Sequence, residues 1–121
     1  MKTTTANSKA LVDSIVEGIK EKKGKNIVII DMANVDDSIC NYMVIAEGNT
    51  PVQVEAIQDS VLDTARIQTG EKPLHTHIGN GEWVAMDYVD VMVHIFVPAL
   101  REFYNIEQLW ADAKQIRLEN E

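Results

Sequence analysis

Cysteine is nearly absent from this chain: Cys40 stands alone, so no internal disulfide can staple the fold and an oxidising compartment would add nothing to its stability. Basic side chains are also scarce. Eleven lysines and arginines face nineteen acidic residues, for a formal net charge of -8. Neutralising phosphates requires a concentrated basic stripe, so this balance argues against a nucleic-acid grip and suits a basic protein partner better. Long apolar runs are missing as well. No segment approaches the ~18 apolar residues of a membrane span, and "MKTTTANSKALVDS" has no uninterrupted apolar core of a secretory signal. The expected address is cytoplasmic, with no membrane association.

The parts of a nucleotide-handling site are lacking too. There is no Gly-Ser dipeptide, no Asp-x-Asp on an expected strand, no phosphate-loop consensus and no complete GxGxxG. Metal-assisted nucleotidyl transfer needs a phosphate grip and carboxylates that converge on a divalent ion. The chain is therefore expected not to be an enzyme and to use no cofactor. His75 and His77 would share one face of a strand with His94 on a neighbouring element. Zinc needs three or four convergent ligands, so these read as hydrogen-bonded surface or half-buried imidazoles, and no metal is expected.

What is present describes one domain over residues 1–121, with flexible ends at about 1–6 and 114–121; at 121 residues and 45% hydrophobic content there is room for a single modest core. Ser8 is placed to cap a helix in which Leu11, Val12, Ile15, Val16 and Ile19 recur at the 3.6-residue period, with a stop at Gly24. "NIVIID" reads as a strand buried on both faces, and "YMVIAEG" as a second strand after a polar loop. Thr50, Pro51 and Gln53 supply an N-cap, an N1 proline and a capping-box glutamine for a helix that buries Val54, Ile57, Val61 and Ala65 and ends at Gly70. "LHTHI", a Gly-Asn-Gly turn, "EWVAMDY" and "VMVHIF" give three more strands. Pro98 opens a short helix and Asn105 with Gln108 caps another. The fold class is α/β (α+β-like), one mixed sheet of about five strands flanked by helices.

The last two strands repay a register argument. If Val89 and Asp90 form a two-residue loop, Tyr88 faces Val91, Asp87 faces Met92, Met86 faces Val93 and Ala85 faces His94. One face then carries Val84, Met86, Tyr88, Val91, Val93 and Ile95, which is a core face. The other carries Trp83, Ala85, Asp87, Met92, His94 and Phe96, a mixture that suits a protein-binding patch. Val89 is a poor residue for the positive φ of a tight primed turn, and a three-residue bulged loop would exchange the faces. The candidate partner-binding residues are Trp83, Asp87, Met92, His94, Glu82, Tyr88 and Asp90. Competing structural roles remain for several: Trp83 packed beneath a helix, Asp87 bonding turn donors, Tyr88 in the core with its hydroxyl at the edge. Phe103 and Trp110 are read as helix-to-sheet packing.

"GEWVAMDYVDVMVHIF" followed by "PALREFYNIEQLWADA" resembles the signature of the ribosomal silencing factor family, RsfS, related to Iojap. The resemblance extends back through "SICNYMVIAEGNTPVQVEAI" and "KNIVIID", so it covers nearly the whole domain. The chain departs from the family pattern at Val89, where a glycine is usual after Asp-Tyr, and at Cys40-Asn41, which replaces Thr-Asp. The resemblance implies a nucleotidyltransferase-like fold without the catalytic motifs. It also implies a factor that binds the large ribosomal subunit, chiefly its fourteenth protein, and represses translation by blocking association with the small subunit. Little direct RNA binding is expected, and self-association as a homodimer is left open. The competing class is a nucleotide- or metal-dependent nucleotidyltransferase-like enzyme.

Overall fold

The computed structural model describes residues 6–33, 35, 40–79 and 81–120. Chain order is α1 (Ala6–Glu21), β1 (Lys25–Asp31), β2 (Tyr42–Glu47), α2 (Pro51–Thr69), β3 (His75–Gly79), β4 (Trp83–Asp87), β5 (Val91–Phe96), α3 (Pro98–Tyr104), α4 (Ile106–Leu109) and β6 (Lys114–Arg117). One sheet takes all the strands in the order β3-β4-β5-β2-β1-β6. Among the described residues β2 and β5 alone pair in parallel, joined through α2 and the β3–β4 hairpin; the other neighbours are antiparallel.

The sheet has six strands rather than five, because the stretch expected to be a flexible end contains β6. Lys114–Arg117 has little intrinsic strand character. It is a strand because β1 would otherwise leave its outer backbone groups unpaired: Val28 pairs with Arg117 and Asp31 with Lys114. β1 is thus paired along both edges, and it is buried on both faces, with Ile27 in one core and Val28 and Ile30 in the other. At the other end, residues 1–5 lie outside the described residues and the helix has already begun at Ala6.

Ser8 therefore does not cap α1. It lies within the helix, buried, where its Oγ accepts a hydrogen bond from Nδ2 of Asn41 at 3.1 Å. A tertiary contact has claimed the hydroxyl that local pattern assigned to the helix end. The left-handed residue beyond α1 is Lys23, at φ 62, and Gly24 closes the turn by donating to Ile19 O at 2.9 Å. α2 forms as expected: Thr50 Oγ1 accepts from Gln53 N at 3.1 Å, Pro51 opens the first turn, and Gly70 ends it at φ 76.

α1 and α2 lie together on one sheet face. Their apolar stripes, Leu11, Val12, Ile15 and Ile19 with Val54, Ile57, Val61 and Ala65, meet Val44, Val84, Met86, Val91, Val93 and Ile95 in the main core. Contact between the helices is close at Gly18, where an added Cβ would stand 2.9 Å from Val61 Cα; Ser60 Oγ donates to Gly18 O at 2.8 Å. The second face holds a smaller core of Val28, Ile30, Met32, Cys40, Met43, Ile45 and Phe96, with Leu100, Ile106 and Trp110 packed on it. The short α3 and α4 contribute to that cover, while His75 and His77, the β3 residues that pair with Asp87 and Ala85 on this face, stay exposed. The face is thus half covered.

Candidate functional site

The β4–β5 pairing is the one that the two-residue loop requires: Trp83 with Phe96, Val84 with Ile95, Ala85 with His94, Met86 with Val93 and Asp87 with Met92. Tyr88 N donates to Val91 O at 2.9 Å to close the hairpin. The register holds although Val89 accepts a φ of 75. Asp90 N donates to Tyr88 O at 2.9 Å, a three-residue γ-turn centred on Val89, and Asp87 Oδ1 takes the Val89 N–H at 2.8 Å. The Asp90 carbonyl accepts from Asn41 N at 2.7 Å and Tyr42 N at 3.2 Å. These bonds hold a β-branched residue in a conformation that costs it about 1–3 kcal/mol.

The hairpin separates the candidate residues into groups. Trp83, Asp87 and Met92 lie partly exposed on the half-covered face. His94 shares that face but is only 8% exposed, so it is not available for wide contact. Tyr88 points to the main core at 6% exposure, and its hydroxyl, expected at the edge, is buried without a hydrogen-bond partner among the described residues. Burial pushes that phenol up to about 12. Asp90 stands at the hairpin tip, past Asp87, which is itself four residues of strand, or roughly 13 Å, beyond Trp83. Glu82 precedes Trp83, and its backbone ties the end of β3 to the residue after β5: its N donates to Gly79 O at 3.1 Å and its O accepts from Val97 N at 2.9 Å.

Trp83 is the centre of a contiguous aromatic group. Phe96 lies 5.6 Å away and nearly parallel, at 9°. His94 is stacked at 6.0 Å, Tyr104 tilts against the indole at 5.3 Å, and His77 meets it edge-on at 5.6 Å. Trp83 Nε1 donates to His94 Nδ1 at 3.2 Å, and burial pushes the His94 imidazole down to about 4. The ring is neutral near pH 7, which leaves Nδ1 free to accept.

Sequence reasoning missed Tyr104 and misplaced Phe103. Phe103 is 77% exposed and packs on Tyr104 rather than on the sheet, whereas Trp110 does pack into the smaller core. Phe103 and Tyr104 stand three and four residues after Leu100 on α3, so helical spacing puts both near one face and does not tell which of them meets the sheet. Asn105 does not cap α4 through its side chain; it takes a left-handed φ of 45 and acts through its carbonyl, which accepts from Gln108 N at 3.1 Å. α3 is fastened to the sheet by Arg101, whose Nε and Nη2 bind the Glu107 carboxylate at 3.0 and 3.1 Å. Its Nη1 reaches Glu47 at 3.1 Å and the Asn26 carbonyl.

The arrangement supplies aromatic area, exposed apolar side chains and carboxylates at its margins. Among the described residues, no three His, Cys, Asp or Glu side chains gather where they could hold a metal ion, and no helix is long and apolar enough to cross a membrane. Residues 5–121 match the family described as RsfS, ribosomal silencing factor during starvation. The chain is 35% identical over 102 residues to the ribosomal silencing factor RsfS of Chromobacterium violaceum, covering 82% of this chain and 80% of that protein. It is 31% identical over 113 residues to the RsfS of Halalkalibacterium halodurans, covering 93% and 96%. A crystal structure of a protein from Chromobacterium violaceum superposes with a TM-score of 0.79 at 32% identity, covering 85% of each chain.

Proposed function

Because the chain belongs to the ribosomal silencing factor family, RsfS, we propose that it docks on the large ribosomal subunit through that subunit's fourteenth protein and keeps the small subunit from joining. The observation that carries this reading is the half-covered sheet face, where Trp83 stands among His77, Tyr104 and Phe96 and the Asp87–Met92 pair lies further along the same hairpin face. A central aromatic anchor with a polar margin is the composition of a protein-binding hot spot. Glu82, Asp87 and Asp90 give that margin the sign that attracts a basic ribosomal protein, and a chain of charge -8 is repelled by the RNA around it. These carboxylates speed the encounter, while Trp83 sets the dissociation rate.

No bond has to be made or broken. An interface on the order of 1,200–2,000 Å² in total, laid over a surface that the two subunits use to meet, is enough for competitive exclusion. Soluble action in the cytoplasm follows from the same reading. The test is co-sedimentation with isolated large subunits, followed by addition of small subunits. The chain is expected to travel with the large subunit and to lower the yield of joined particles in proportion to its occupancy. No binding, or full joining at saturating chain, would refute the proposal; binding to the purified fourteenth protein checks the partner separately.

A further inference from the structure

An indole on a strand turns about two side-chain torsions, and an anchor gains affinity when that freedom is removed before its partner arrives. Trp83 is restrained in this way. Its ring is flanked by Phe96 and Tyr104 and met edge-on by His77, but ring contacts shift at little cost, and among the described residues a single hydrogen bond sets the direction of the indole. That contact is the 3.2 Å hydrogen bond from Trp83 Nε1 to His94 Nδ1. His94 pairs with Ala85 rather than with Trp83, so the bond runs diagonally across the β4–β5 ladder and draws the indole along the strand. At 8% exposure His94 presents almost nothing to a partner. Burial keeps it neutral, and the indole bond leaves its ring proton on Nε2.

We propose that His94 is a positioning residue: its Nδ1 fixes the Trp83 indole in the one pose that the partner's surface receives, and His94 itself touches no partner. The inference rests on the docking reading above. It removes His94 from the contact set and gives it a role that the partner feels only through Trp83.

The test uses a Trp110→Phe background, in which Trp83 is the sole tryptophan, and compares three changes. His94→Asn places an amide oxygen near the position of Nδ1 and keeps the acceptor; His94→Phe keeps a ring and removes it; Trp83→Ala removes the anchor. His94→Leu replaces the phenylalanine variant if circular dichroism shows that His94→Phe does not fold. Affinity for large subunits is expected to fall about tenfold in His94→Phe, the value of one neutral hydrogen bond, and to stay within about twofold in His94→Asn. The Trp83 fluorescence anisotropy decay should show wider local motion in His94→Phe alone. Parent-like binding or unchanged anisotropy in His94→Phe, or an equal loss in His94→Asn, overturns the assignment. If Trp83→Ala also binds like the parent, the docking reading falls with it; if Trp83→Ala weakens and His94→Phe does not, only the positioning role falls.

Discussion

Replacing Arg101 by methionine should remove a charge from a buried network while keeping most of the packing of its stem. In the native chain one guanidinium serves two carboxylates: a two-pronged contact to Glu107 at 3.0 and 3.1 Å and a single contact to Glu47 at 3.1 Å, with both acids largely shielded from water. Arg117 reaches Glu107 at 3.4 Å from an exposed position and can compensate only in part. Stripping one partner from a buried ion pair costs about 3–5 kcal/mol, mostly because the remaining charge is left desolvated. That is a large share of the roughly 5–15 kcal/mol by which a domain is stable.

Acidity distinguishes this explanation from simple loss of contact. Burial by itself would raise the Glu107 pKa, but hydrogen bonds and charge from Arg101, with a contribution from Arg117, hold it below the ordinary value. In the parent, the folded pKa lies below the unfolded one. That stabilisation is complete above the unfolded pKa of about 4.3 and is lost as pH falls through the folded value. In Arg101→Met burial prevails, the folded pKa rises above the unfolded one, and a proton relieves the unpaired charge. Urea melts at pH 7.5 and pH 5 should therefore show the variant's deficit shrinking on acidification. A deficit under about 1 kcal/mol at pH 7.5, or one equal at both pH values, would refute the argument. Large-subunit binding should fall with stability, since the same clamp holds Tyr104 against Trp83.

Trp83→Ala is expected to cost about 2 kcal/mol or more of large-subunit affinity in co-sedimentation, with a cooperative urea transition retained. His94 titrates lower in the fold than in the unfolded chain, so its stabilisation is complete above about pH 6.5 and is lost as pH falls toward about 4; the loss, about 3 kcal/mol at most, should appear in parent urea midpoints and vanish in His94→Asn. Gly18→Ala should destabilise by about 1–2 kcal/mol in the same melts, because overpacking against the Val61 backbone exceeds the gain in helix propensity. Val89→Gly should raise stability by about 0.5–1 kcal/mol: relief of positive-φ strain outweighs the entropy glycine adds and the contacts of a side chain already 54% exposed, so a lower melting temperature would show that Val89 is not strained.

The hairpin register was legible because alternation over "WVAMDYVDVMVHIF" admits one arrangement with a wholly apolar face, and burying six apolar residues outweighs the strain at Val89. α2 was legible because Thr50, Pro51 and Gly70 act locally. What escaped was decided by distant partners. Nothing within Lys114–Arg117 specifies a strand; β1 does. Ser8 has the chemistry of a cap and is bound by Asn41, thirty-three residues on. On the candidate face the pattern located Trp83, Asp87 and Met92, but the burial of His94 and the approach of Tyr104 depend on where α3 turns back over the sheet.

The pairing of β6 with β1 also bears on how the chain is made. Roughly 80 residues separate Asp31 from its partner Lys114, so during synthesis β1 is complete well before the strand that covers its outer edge exists. At 5–20 residues per second that interval is on the order of 10 s. For that time an apolar, β-branched edge is open to pairing with another nascent chain. β6 then behaves as a closing bolt whose value is kinetic as much as energetic: chains truncated before Lys114 should lose soluble yield out of proportion to the few contacts that the strand makes.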